Sequence, residues 1–200
     1  MTSENAKHLS LGIIIIAFIT FIYGTIKVID IVDKTQTGTS EGTYTSYVTT
    51  SDEIKSKAYT LTTSCSTRLC KIQNLLDFAT NIPYQTNIFQ QKSPQKTIQE
   101  NFGDCDDKSN LLISMLHALG IEAYFVLVPK HIFVIVPLDD NHLAKRKGLW
   151  VNGKKYYILE STAKNSGIGY PLHYELDEID VIIEPFSNNT VNIKTLDYKL

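Results

Sequence analysis

Cys105 stands in the run Gly103-Asp104-Cys105-Asp106-Asp107-Lys108, directly ahead of an apolar stretch, Leu111 to Leu119, that stops at Gly120. Asp104 is a good helix N-cap, and Leu111, Leu112, Met115, Leu116 and Leu119 recur at helical spacing. The spacing predicts a buried helix with Cys105 in its first turn. A thiol there meets free N–H groups and the positive end of the helix dipole, which favour a thiolate and can hold an oxyanion. A thiolate nucleophile needs a base, and the base needs an acceptor that fixes its tautomer. His131 and Glu160 are the candidates. His131 starts one strand-like run and Glu160 ends another, and in an antiparallel pair the start of one strand lies beside the end of its neighbour. Asp104, Asp106 and Asp107 crowd the thiol with negative charge and oppose the helix-end effect, so a protonated His131 has to outweigh them. Asp104 is expected as cap, with Asp107 and Lys108 holding the helix start in place. Asp107, Asn110, Ser114 and His117 form a polar stripe expected as the less buried face of the same helix. Metal binding is the other chemistry open to Cys, His and Glu, but these three lack the short paired spacing of most zinc sites.

The elements that must position these residues follow from pattern. Leu69, Ile72, Leu76 and Ala79 line one face of a helix that ends before Ile82-Pro83. A short helix is expected at Pro94, capped by Ser93. After Gly120 the pattern changes to strands: Ala123 to Val128, His131 to Leu138 and Lys155 to Glu160 are rich in β-branched and aromatic residues. Pro129-Lys130 reads as a tight hairpin link. Asn152-Gly153 has type I′ turn chemistry joining a short strand ending near Val151 to the one beginning near Lys154. A further strand is expected around Val181 to Ile183. An antiparallel sheet packed on the Cys105 helix gives an α+β domain.

The 200 residues, 43% apolar and 20% charged, suit one ordinary globular domain plus extras. A net charge of −2 with no run of Lys or Arg gives no electrostatic footprint for nucleic acid. Near the N-terminus, Leu9 to Ile26 carries no charge and, as a helix, spans roughly 27 Å, enough to cross a bilayer. A cleaved signal peptide competes with this reading, but the stretch exceeds a usual apolar core and no small-x-small cleavage site follows it. Lys7 is matched by Lys27 and Lys34, so charge does not set the orientation. Cys65 and Cys70 can close a small-loop disulfide if the chain turns between them, which fits an oxidising compartment, or remain two unpaired thiols. Thr35 to Ser51, rich in Thr, Ser and Gly, reads as a linker. The expected layout is a tail at 1–8, an anchor at 9–26, a juxtamembrane segment and linker at 27–55, the folded domain at 56–186 and a C-terminal tail at 187–200.

These residues resemble the transglutaminase-like cysteine enzymes. In that superfamily a Gly-Asp-Cys-x-Asp-Lys segment opens the central helix, a His begins the second following strand, and an acidic residue ends the third before a Ser/Pro-Thr pair. The matching residues are Gly103 to Lys108, then Lys130-His131-Ile132-Phe133-Val134, then Tyr156-Tyr157-Ile158-Leu159-Glu160-Ser161-Thr162. The likeness runs from about Arg68 to about Tyr170. It implies a papain-like α+β fold with Cys105 as nucleophile, His131 as base and Glu160 as orienting carboxylate. Glu160 stands where most members have Asp, with one more methylene to position. The implied reaction is attack on an amide or thioester carbonyl, a thioester acyl-enzyme, and transfer to water or an amine. Protein or peptide amides are the implied substrates, and no cofactor is required. The alternative is a binding or scaffolding module of the same fold, without turnover, held at the membrane by the N-terminal helix.

Overall fold

The computed structural model describes residues 3–39, 42–86 and 91–200. Residues 1, 2, 40 and 41, parts of the expected tail and linker, lie outside the described residues. Helix α1 (Ser3–Thr35) contains Lys7–Val28, 22 residues with mean hydropathy 2.3 and none of them buried. Ile13, Ile14, Ile16, Phe18 and Phe21 are exposed around it, so this helix has no apolar stripe facing a core. It is long and apolar enough to span a bilayer.

Strands β1 (Gln36–Thr39) and β2 (Gly42–Thr45) pair antiparallel, followed by helices α2 (Asp52–Thr62), α3 (Arg68–Asn81), α4 (Pro94–Glu100) and α5 (Cys105–Ala118). Each helix starts where its sequence supplies a cap: the side chains of Ser51, Thr67, Ser93 and Asp104 each accept an N–H in the first turn. Helix α3 stops at the residue before Ile82-Pro83, as the proline requires. The Cys65–Cys70 disulfide is formed and pins the turn between α2 and α3.

Strands β3 (Tyr124–Val128), β4 (His131–Val136), β5 (Gly148–Val151), β6 (Lys154–Leu159), β7 (Val181–Glu184), β8 (Asn189–Thr190) and β9 (Leu196–Lys199) form one antiparallel sheet. Their order is β8-β7-β3-β4-β6-β5-β9. The β5–β6 turn is the expected one: Asn152 and Gly153 both take positive φ, 51° and 81°, which a type I′ turn demands. One face of the sheet packs on α2, α3 and α5, with Leu111, Leu112, Met115 and Leu116 wholly buried. Burial of each such side chain contributes about 1.5–3 kcal/mol. The other face, carrying Phe133, Ile135, Tyr156 and Ile158, is covered by Tyr170, Leu172, Tyr174 and Leu176.

Three expectations fail here. The stretch read as a linker packs at its end: Tyr44 and Ser46 are buried, and the Tyr47 and Thr49 amides donate to Asn110 and Ser114 of α5 at 2.9 and 3.0 Å. Its Thr and Ser content misleads because the surface it covers is itself polar. For the same reason the α5 stripe is not its less buried face. Asp107, Asn110 and Ser114 are fully buried, and only His117, stacked on Phe186, is exposed. The stretch 187–200, expected as a tail, supplies β8 and β9. Leu196 and Tyr198 of β9 pack on the second core against β5, a partner far away in sequence.

Candidate active site

Helix α5 meets the sheet beside the start of β4, on the side where β6 does not pair with it. In the β3–β4 hairpin Val128 pairs with His131 across a two-residue link, so that pair exchanges ladder bonds and the N–H and C=O of Ile132 face the opposite side. On that side β6 pairs with β4 only from Val134 and ends at Leu159. The start of α5 occupies the vacated edge. The Ile132 N–H donates toward Cys105 Sγ, and Ser109 Oγ donates to the Ile132 carbonyl at 3.5 Å. Cys105 thus lies against the residue next to His131.

His131 Nε2 is 2.8 Å from Glu160 Oε2, with both side chains mostly buried. The second carboxylate oxygen, Oε1, accepts the Thr162 N–H at 2.9 Å and the Thr162 hydroxyl. Burial alone would raise the Glu160 pKa, but the bond and charge of His131 and the two Thr162 bonds overcome it and hold the carboxyl below its usual value. With Nε2 engaged, Nδ1 is the ring nitrogen left to exchange a proton. Tyr174 stacks parallel to the imidazole, ring centroids 6.1 Å apart.

The thiol is held in its neutral form. Burial, then the charges of Asp106 and Asp104, push the Cys105 pKa up to about 12 against the pull of the Ile132 and Asp106 amides. Its proton points to Asp106 Oδ1, 3.7 Å from the sulfur, while Gln91 Nε2 donates to Asp106 Oδ2 at 2.7 Å. Asp106 is therefore more than a crowding charge, since it accepts the hydrogen bond of the neutral thiol in this geometry. Asparagine at this position keeps an oxygen for Gln91 and turns its amide N–H toward the sulfur. Asp106→Asn is expected to move the pH profile of Cys105 alkylation to lower pH, with a rise of roughly tenfold at neutral pH. An unchanged profile sinks this reading of Asp106.

The rest of the helix start is rigid. Asp104 Oδ1 accepts the Asp107 N–H at 3.1 Å, and Asp107 Oδ1 accepts the Lys92 N–H at 2.6 Å. Lys108 Nζ donates to the Ile82 and Thr80 carbonyls at 2.8 and 3.4 Å, tying α5 to the end of α3. Asp107 and Lys108 thus anchor the helix, as expected, but through separate partners. Gly103 has no room for a side chain: a Cβ there would lie 2.8 Å from Asp107 Cβ. Pattern reading missed Gln91, Thr162, Tyr174 and the Ile132 backbone. Only Thr162, inside the Glu160-Ser161-Thr162 run, carried a signal, as an acceptor-fixing residue two positions from a carboxylate.

The profile of the Transglutaminase-like superfamily matches residues 55–156, through Cys105 and His131 and ending before Glu160. No curated protein matches the chain. Among solved structures, a protein of Cytophaga hutchinsonii named as an inferred cysteine protease is 19% identical with TM-score 0.45, over 77% of this chain and 52% of that one. A Parabacteroides distasonis protein named as an inferred protease is 16% identical with TM-score 0.44, over 72% and 28%. Legionella pneumophila LapG is 14% identical with TM-score 0.39, over 60% and 77%. The chain spans about half the length of the first of these structures and under a third of the second. The profile match runs from α2 through the cysteine helix into the hairpins of the sheet and takes in half of the residues, and on that match the chain belongs to the Transglutaminase-like superfamily.

Proposed function

We propose that the domain is a thiol hydrolase or acyltransferase acting on protein or peptide amides, with Cys105 as nucleophile, His131 as base and Glu160 as the group that orients it. The observation that carries this reading is the 2.8 Å His131–Glu160 bond, which leaves Nδ1 free for proton transfer beside a cysteine that opens a helix. The Cys105 sulfur attacks the carbonyl carbon as His131 Nδ1 takes the thiol proton. The C–N bond breaks, His131 returns that proton to the leaving amine, and a thioester remains. Water or a second amine then attacks the thioester, giving its proton to His131, and Cys105 leaves as the thiol. Helix α1 anchors the chain in a membrane, and the Cys65–Cys70 disulfide favours an active domain on the oxidising side.

A neutral thiol donating to Asp106 favours a second reading, a binding module of the same fold without turnover. One experiment separates the two. With burial and two aspartates keeping the thiol neutral, reactivity at neutral pH has to come from His131. The rate of iodoacetamide alkylation of Cys105 is to be followed against pH in the full chain, held in detergent micelles. The enzyme reading expects reaction well below the ordinary cysteine value of about 8.5, lost on His131→Ala. A Cys105 that is unreactive, or indifferent to His131, leaves the binding module.

A further inference from the structure

Beside Cys105 the chain presents a short strand edge whose outer side pairs with none of the described residues. Residues 83–85 run parallel to Gly103, whose N–H donates to the Pro83 carbonyl and whose carbonyl accepts the Gln85 N–H, both at 3.1 Å. In such a parallel bridge the bracketed residue, Tyr84, directs its own N–H and C=O to the opposite side. Neither group has a partner among the described residues, and Tyr84 is 55% exposed. The edge is held firmly. Upstream, the Ile82 carbonyl is gripped by Lys108 Nζ, and Gly103 is drawn against the first turn of α5 with no space for a Cβ. Gly103 precedes Cys105 by two positions, so the edge lies near the sulfur.

A second wall accompanies it. Tyr174 stacks on His131 and lies parallel to Phe133 at 6.4 Å, and the surface continues into a small pocket bounded by Tyr170, Leu172 and Glu160. Burial first raises the phenols of both Tyr84 and Tyr174; Cys105 is the next cause at Tyr84, and Glu160 and then Cys105 at Tyr174, so both rings stand within electrostatic reach of the sulfur. A fixed pair of backbone donor and acceptor next to a nucleophile is the equipment that β-strand addition uses, in which main-chain bonds supply affinity and neighbouring pockets read side chains.

We propose that the acyl donor is an extended polypeptide segment that adds a strand at Tyr84, one of its residues exchanging two N–H···O bonds with the Tyr84 backbone while an apolar or aromatic side chain lies on Tyr174. This rests on Cys105 being the nucleophile and narrows the substrate class. Helical segments and small non-peptide amides or thioesters lack the main-chain groups that this edge pairs.

The test uses the full chain in micelles and three probes: iodoacetamide, chloroacetone, and a tripeptidyl chloromethyl ketone with apolar side chains, also prepared with each amide N-methylated in turn. In each chloromethyl ketone reaction the Cys105 sulfur displaces chloride, forming the S–C bond as the C–Cl bond breaks and the thiol proton passes to His131. The tripeptidyl compound is expected to inactivate at least about tenfold faster than chloroacetone, the effect of two added hydrogen bonds, and N-methylation at one amide removes most of that gain. Iodoacetamide serves as the internal reference, since it needs only the reactive thiol. N-methylated compounds that all react as fast as their parent, on a chain whose iodoacetamide reaction depends on His131, overturn the strand-addition inference alone. A thiol inert to iodoacetamide overturns the nucleophile reading and this inference with it.

Discussion

Glutamine at position 160 is expected to slow Cys105 alkylation at neutral pH by roughly a hundredfold to ten-thousandfold, although it differs from glutamate by one atom. The reason lies in Thr162. Its N–H and hydroxyl both donate to Glu160 Oε1, so a glutamine must present its oxygen there and turn its amide N–H₂ toward His131 Nε2. Facing a donor, Nε2 becomes the acceptor nitrogen and the ring proton moves to Nδ1. Nδ1 then has no lone pair with which to take the thiol proton. The fold is unaffected, because the isosteric side chain keeps its two Thr162 bonds. Two measurements check this: the alkylation rate against pH, and the ¹⁵N shifts of the His131 ring, which report the tautomer. A wild-type rate in Glu160→Gln removes Glu160 from the orienting role.

The candidate site was legible where chemistry and secondary structure share one signal. Cys105 could be placed because its cap, its first turn and its apolar stripe are contiguous. His131 and Glu160 could be placed because a strand start and a strand end are visible in the pattern of β-branched residues. Tyr84, Gln91 and Tyr174 were invisible for the opposite reason. Each acts from a connecting segment, where conformation is set by what the segment packs on rather than by its own periodicity. The same cause hid the packing of Tyr44 and Tyr47 on α5. Their partner Asn110, and Ser114, which accepts the Thr49 N–H, looked like a solvated stripe, and a buried polar face has the composition of an exposed one until the element that satisfies it is known. Strand β9 escaped because its pairing with β5 crosses 44 or more positions and its alternation is only four residues long.

Lys108 shows how much of the site rests on a group with no part in the proposed chemistry. Its side chain is 1% exposed, and its ammonium sits at the carbonyl end of α3, where the helix dipole favours a positive charge. Lys108→Ala leaves two buried carbonyls without a donor and opens a cavity along the lost stem, a cost of about 3–5 kcal/mol. Lys108→Met restores the packing and not the donor, so its loss is smaller by the packing share, about 2 kcal/mol. The pH dependence separates the charge from the volume. Burial lowers the Lys108 pKa to about 8, against the opposing charge of Glu160, whereas an unfolded lysine titrates near 10.4. Between these values the unfolded chain binds more protons than the folded one, so this group makes the wild type more stable as pH rises from about 8 to about 10. Neither variant has that rise. The advantage of wild type over Lys108→Met should therefore widen across that window and stay constant below it, read from urea unfolding followed by Trp150, the chain's one tryptophan. A gap that stays level from pH 7 to 10 places Lys108 in water in the folded protein. Because the same ammonium fixes the Ile82 carbonyl, loosening it also frees residues 83–85, and the two chloromethyl ketones should then differ less on Lys108→Met than on wild type.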